Sequence, residues 1–253
     1  MSTPFFHRRL PSLDRTALLH RIVDGVRAVR AAGAPAVVVF DLDGTLIDNR
    51  PRVVAILHEL ADHWHARHTV AAACCAAAQR DDIVYGIVEN LRRLGVTDPA
   101  LHREAFDFWK ARFFADPHVR HDVEVRGARA FAGAVHDAGA VVVYLTGRDL
   151  PNMALGSFAS LRDLGFPIGR IGTELVVKPA FETPDVVFKR SVAPDLGRLG
   201  TVVATFDNEP ANVGVFLEAH PSSVGVFLDT QYAPDPPALD ARAAVIDTFE
   251  LEP

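Results

Sequence analysis

Four short runs of mainly β-branched and aromatic residues constrain this chain most: Ala36-Val-Val-Val-Phe40, Val141-Val-Val-Tyr-Leu145, Thr201-Val-Val-Ala-Thr-Phe206 and Val224-Gly-Val-Phe-Leu228. A strand with one wet face alternates apolar and polar residues; these runs do not, so they require strands covered on both faces. Helical patterns lie between and around them, over residues 128–138, 155–164, 189–199 and 211–219, the first three each closed by a glycine. An amphipathic helix over residues 13–32, ended by Gly33 and Pro35, precedes the first run. Such alternation predicts an α/β fold with a doubly wound, Rossmann-like parallel sheet.

Residues 50–121 break the alternation. They hold no β-branched strand run and read as successive helices, so the chain divides into a core of residues 1–49 and 122–253 and an inserted all-helical domain of residues 50–121. Asp81-Asp82 is expected to start a helix that Gly95 ends, and Asp98-Pro99 supplies an N-cap followed by proline at the first helical position. The tail after Thr230, with Pro234, Pro236 and Pro237, reads as a surface wrap.

With 253 residues, 49% hydrophobic and 23% charged, the chain can bury a sizeable core and is not of disordered composition. A formal charge of -6 without a Lys/Arg-dense stripe argues against a nucleic-acid partner, because the phosphate backbone is itself polyanionic. Apolar runs such as residues 70–78 are too short for a bilayer, and residues 1–10 carry Arg8 and Arg9 with no apolar core of signal type. No membrane partner is expected. The two cysteines, Cys74 and Cys75, are adjacent and form no disulfide framework, which predicts a reducing, cytoplasmic location.

Ligands of open α/β sheets bind beyond the carboxyl ends of the strands. The residues there are Asp41-Leu-Asp-Gly-Thr45 after the first run, Thr146-Gly-Arg148 after the second and Asp207-Asn-Glu209 after the third. Converging carboxylates repel one another unless a cation sits among them. A hard divalent ion with oxygen ligands is implied, and Mg2+ fits best because it is commonly held by one or two carboxylates, waters and a phosphate oxygen.

Asp41-Leu-Asp-Gly-Thr-Leu-Ile-Asp48 after a hydrophobic strand resembles the first signature of the haloacid dehalogenase superfamily. Thr146 stands where that family has its second signature, a lysine its third, and Asp207 its fourth; the helical insert lies where members carry a type-one cap. The resemblance implies a Mg2+-dependent phosphatase acting on a small phosphorylated metabolite. Asp41 would be the nucleophile, forming an aspartyl-phosphate, and Asp43 the general acid and base. An acid at position 43 favours phosphoryl transfer over dehalogenation, since the dehalogenases of the superfamily lack one there.

Thr146 would bond a phosphoryl oxygen, with Gly44, Thr45, Gly147 and Arg148 completing the phosphate contacts. The metal would engage Asp41, Asp43 and Asp207. Lys189 is the preferred catalytic lysine, as the opening residue of the helix before the fourth-signature strand, with Lys178 of Val-Val-Lys-Pro179 as its competitor. The fourth signature departs from the family pattern: no second acid follows Asp207 directly, so Asn208, Glu209 or Asn212 is left to hold a metal-bound water. A phosphomutase or phosphotransferase on the same scaffold, or a catalytically weak phosphate-binding module, shares these motifs.

Other patterns have plainer readings. Asp48 and Asp149 stand where helix caps stand. His58, Asp62 and His65 share a helix face at zinc-compatible spacing, but without a cysteine or second cluster they read as a solvated face. Phe106, Phe108, Trp109, Phe113 and Phe114 read as the insert's own core, with one or two facing substrate. Arg92, Arg93 and Arg112 are candidates for an anionic head group. The insert's single lysine, Lys110, lies far along it, which disfavours imine chemistry there.

Overall fold

A computed structural model describes residues 12–252; the expectation for residues 1–10 lies outside the described residues. Helix α1 (Ser12–Ala31) buries Leu18, Leu19, Ile22, Val23 and Val26 on one stripe. Strand β1 (Ala36–Phe40) follows, with all five residues buried. Val38 and Phe40 pack into the cluster on the α1 side, while Val37 and Val39 join the cluster on the opposite face. This is the physical basis of the unbroken apolar run: each face of the strand meets a separate helical layer, and burying each side chain contributes about 1.5–3 kcal/mol relative to exposure.

After β1 the chain forms the short strand β2 (Ile47–Asp48) and enters four helices, α2 (Arg50–Trp64), α3 (Thr69–Ala76), α4 (Ile87–Arg93) and α5 (Pro99–Phe113). It returns through β3 (Val123–Glu124), which pairs antiparallel with β2, Ile47 opposite Glu124 and Asp48 opposite Val123. The four helices enclose a hydrophobic cluster of their own that includes Leu57, Leu60, Trp64, Cys75 and Leu91. Then come α6 (Ala128–Asp137), β4 (Ala140–Asp149), α7 (Leu150–Asp163), β5 (Thr173–Lys178), α8 (Asp185–Val192), β6 (Thr201–Asp207), α9 (Pro210–Ala219), β7 (Val224–Leu228) and β8 (Ala244–Ile246). The six-stranded parallel sheet runs β5-β4-β1-β6-β7-β8. Strand β1 therefore lies between β4 and β6, and the carboxyl ends of all three open side by side.

Four local readings change. Strand β5 was not expected: as a sheet edge it is only partly buried and carries Glu174, so it lacks an unbroken apolar run. The tail is more than a wrap, since β8 pairs with β7. Asp81 and Asp82 sit in a 3-10 turn, closed when Asp82 accepts from the Gln79 N–H, and α4 begins later, after Gly86. Finally, α8 starts after Pro184, which places Lys189 in its last turn rather than at its opening. Among the described residues, no helix is long and apolar enough to cross a membrane.

Candidate active site

Asp41 follows β1 directly, its N–H continuing the ladder onto Phe206 O at 2.9 Å. Asp207 ends β6 and Thr146 lies near the end of β4. Lys189 reaches into this junction from α8: its Nζ donates to Asp41 Oδ1 and to Asp207 Oδ2, each at 2.7 Å. The other Asp207 oxygen accepts from the Glu209 backbone N–H at 2.9 Å and from Asn212 Nδ2 at 3.1 Å. Asn212 thus fixes the orientation of Asp207. Lys178, at the end of β5, instead donates to Asp185 at 2.9 Å. Of the two lysines, Lys189 is the one that joins the acids after β1 and β6.

All three groups of this cluster are buried. Burial raises the pKa of Asp41 most; the Lys189 charge lowers it and the Asp207 charge raises it again, leaving it at about 7. Burial alone would lower the Lys189 pKa, but Asp207 and Asp41 reverse this and hold it above the ordinary value, so the lysine stays charged. One ammonium between two buried carboxylates leaves excess negative charge.

Asp43 has a different environment. Arg148 donates from Nε to its Oδ2 at 2.7 Å and from Nη2 to its Oδ1 at 2.8 Å. Arg52 of α2 donates to the same Oδ1 at 3.0 Å, and Asn49 adds a bond at 3.2 Å. Both arginines also bond Asp122, just before β3, at 2.8 Å. The side chains of Arg52 and Asp122 are 0% exposed, whereas that of Asp43 is 27% exposed, so Asp43 is the member open to the cavity. Burial pushes the Asp43 pKa up, but the Arg148 and Arg52 charges outweigh it and hold the carboxyl well below its usual range.

The turn between the two acids and β2 needs Gly44, whose φ is +79° and whose added Cβ would lie 2.3 Å from Asn208 Nδ2. Thr45 Oγ1 donates to Asn208 Oδ1 at 3.2 Å, tying this turn to the end of β6. Thr146 Oγ1 accepts from the Arg148 N–H at 3.2 Å. At Gly147 a Cβ would fall 2.1 Å from Asp185 Oδ2, so a side chain there would displace the partner of Lys178. Glu209 also lines the cavity, and burial raises its pKa to about 7, partly opposed by the Ala233 N–H that bonds it.

Asp41, Asp43, Thr146, Arg148, Lys189 and Glu209 line the floor of a cavity of about 300 Å³ between the sheet and the helical insert, which the fully buried Asp207 reaches through Lys189. The walls and roof are mainly apolar: Val53 and Ile87, Trp109, Phe113 and Phe114 from α5 and the turn after it, and Phe181 from the loop after β5, with Asn49, Asn90 and Gln231 among them. Trp109 stacks on Phe113 at 4.8 Å, and Phe114 meets Phe181 edge-on at 5.0 Å, joining the insert to the core.

Arg112 does not join the cavity: it bonds Glu59 at 2.9 Å and lies 3.4 Å over Phe108. Arg92 pairs with Glu89 on an exposed face. His58, Asp62 and His65 are exposed, and among the described residues no group of three or more His, Cys, Asp or Glu side chains is placed to hold a metal. Asp149 caps α7 by accepting from the Asn152 N–H at 3.1 Å. Asp48 accepts from the Arg50 N–H at 2.9 Å and pairs with Arg80.

Sequence reasoning missed Arg52, Asp122, Asp185 and Phe181. Arg52 carried a usable signal, standing four and eight residues before the buried Ile56 and Leu60, so it falls on the buried stripe of α2. Asp122 and Phe181 lie in irregular segments with no pattern to mark them.

A solved structure of protein tyrosine kinase A of Mycobacterium tuberculosis is similar to this chain, at 17% identity and a TM-score of 0.54, covering 86% of this chain and 96% of that one. A Clostridium difficile protein provisionally described as a phosphatase is similar at 14% identity and a TM-score of 0.50, covering 79% and 88%. These likenesses concern the fold. Among curated proteins, none matches the chain significantly by sequence. The family model of haloacid dehalogenase-like hydrolases matches residues 35–172, more than half of the chain and the stretch that contains Asp41, Asp43, the insert and Thr146. The chain therefore belongs to the haloacid dehalogenase-like hydrolases.

Proposed function

We propose that this hydrolase is a Mg2+-dependent phosphatase of a small phosphorylated metabolite, working through an aspartyl-phosphate on Asp41, with the helical insert as its cap. The observation that carries the reading is the sharing of one buried ammonium, Lys189, between Asp41 at the floor of the cavity and the fully buried Asp207.

The residues present fit magnesium. Both acids offer hard oxygens, and among the described residues no protein donor bonds Asp41 Oδ2. Burial first, and the Asp207 charge after it, raise the Asp41 pKa to about 7, so its charged form would gain from a further cation beside it. Asp41 and Asp207 would hold the ion, with Glu209 nearby, and water or phosphate oxygens would complete the shell. When bound, the ion neutralises charge on the nucleophile and on the phosphoryl oxygens.

The chain's own residues supply the rest. Asp41 attacks phosphorus and the leaving oxygen departs; water then releases phosphate from the acyl phosphate. Lys189 keeps the nucleophile aligned and opposes charge in the transition state, while the Thr146 hydroxyl is available to a phosphoryl oxygen. Asp43 is held as an anion by Arg148 and Arg52, the form that can accept the proton of the attacking water, though the two arginines weaken it as a base for as long as they bond it. Donating a proton to the leaving oxygen requires it first to part from the arginines. Adjacent cysteines in the insert, both free, are in keeping with a reducing cytoplasmic setting.

The test is phosphate release from a panel of phosphate monoesters with Mg2+ and with chelator. Turnover is expected with the metal only, and Asp41→Asn should lower it by at least about 10³-fold. Phosphate-labelled substrate, quenched rapidly in acid, should leave its label on the wild-type protein. Robust turnover by the Asn variant would overturn the assignment, and an isomerised phosphosugar in place of free phosphate would identify a mutase.

A further inference from the structure

We infer that the preferred substrate is the phosphate ester of a small uncharged alcohol bearing an apolar ring, rather than a sugar phosphate or a phosphate with a second acid group. The inference rests on the phosphatase reading and concerns what the cavity admits beside the phosphate.

Among the described residues, each cation lining the cavity is already engaged by a carboxylate. Lys189 bonds Asp41 and Asp207, Lys178 bonds Asp185, and Arg148 bonds Asp43 and Asp122. Glu209, bonded by the Ala233 N–H rather than by a cation, stands at the same lining and would repel a second anionic group. Of the insert's cations, Arg112 is held by Glu59 and Arg52 by Asp43 and Asp122, while Lys110 lies 5.0 Å over the ring of Phe181, against an aromatic face rather than in the cavity lining.

Three polar side chains above the floor are spent on the protein itself, which leaves the buried, unpartnered indole N–H of Trp109 as a donor there. Asn90 uses its amide on Val84, accepting from the N–H at 2.7 Å and donating to the carbonyl at 3.0 Å. Asn49 Nδ2 donates to Asp43, and Gln231 Nε2 to the Ile83 carbonyl at 2.6 Å. A polyhydroxylated leaving group would lose water there and find few partners in return, which is costly in an apolar enclosure.

Trp109, Phe113, Phe114 and Phe181 offer a ring instead a stacked and edge-on aromatic surface, and the half-exposed Tyr85 adds another face. At about 300 Å³ the space is at the small end of ligand pockets, which suits one ring beside the phosphate and not a nucleotide.

The experiment compares four primary alkyl phosphates, matched in their leaving oxygen, with the full chain and Mg2+: 2-phenylethyl phosphate, ethyl phosphate, glucose 6-phosphate and phosphoglycolate. The phenylethyl ester should exceed each of the others in kcat/KM by at least about tenfold, mainly through KM. Trp109→Ala should reduce its advantage over ethyl phosphate, and Phe181→Leu, a milder change in a loop, should do so to a lesser degree. Equal or better turnover of the sugar or carboxylate ester overturns this inference and leaves the phosphatase reading standing. Phosphate release from none of the four overturns both.

Discussion

Asp41 and Asp43 leave the same strand two residues apart, yet their surroundings drive them in opposite directions. Asp41 is buried and faces a second acid across a single lysine, and burial first, then that acid, raise its pKa to about 7. Asp43 faces two arginines and is held far below the usual carboxylate range. A side chain from the insert, Arg52, makes part of the difference, so the behaviour of Asp43 depends on a helix that is absent from the sheet. Two chemically identical groups acquire different roles through the charges that face them.

The comparison breaks most sharply at Arg52. Arg52→Met leaves Asp43 and the fully buried Asp122 short of a partner, and should lower stability to urea by about 3–5 kcal/mol. Arg52→Lys should recover only part of this, since one ammonium does not reproduce the fork that spans both acids. A loss under 1 kcal/mol would show that the cluster contributes little to the fold.

On the other side, Lys189→Met should lower kcat by roughly 10²–10³-fold, the effect of removing one preorganised charge from such a site. Unchanged steady-state turnover would remove Lys189 from the mechanism.

A smaller effect, with opposite signs, comes from pH. Asp43 has a depressed folded pKa, so its stabilisation is complete above its unfolded value near ~3.9 and is lost as pH falls below that. Asp41 has a raised one, so its ionisation removes stability as pH climbs from about 4 to about 7. In metal-free buffer, the Tm of Asp41→Asn relative to wild type should therefore improve between pH 5 and pH 8. The relative Tm of Asp43→Asn should worsen between pH 3 and pH 5. Both changes should be on the order of a few degrees by calorimetry; equal trends in the two variants would contradict the contrast.

Much of this arrangement is legible in the chain itself where burial is uniform. The runs beginning at Ala36 and Val224 match β1 and β7 residue for residue, because strands covered on both faces admit no polar residues to blur their edges. Strand β5 was hidden by its place at the sheet edge, and the position of Lys189 within α8 by the proline that starts the helix. The acids after the strands could be found because their place follows from topology. Their partners could not: Asp122 meets Arg52 across 70 residues, and Asp185 fits against Gly147 because that residue has no Cβ.

The two-residue ladder of β2 and β3 brings the start and finish of the four-helix segment side by side. A segment whose ends already meet imposes on the sheet little more than the entropy of closing a loop, and that entropy changes slowly with length. The ladder is thus a graft point: another helical bundle could be spliced between Asp48 and Val123 and the strands beneath would keep their order. Any such exchange would have to supply its own counterpart of Arg52.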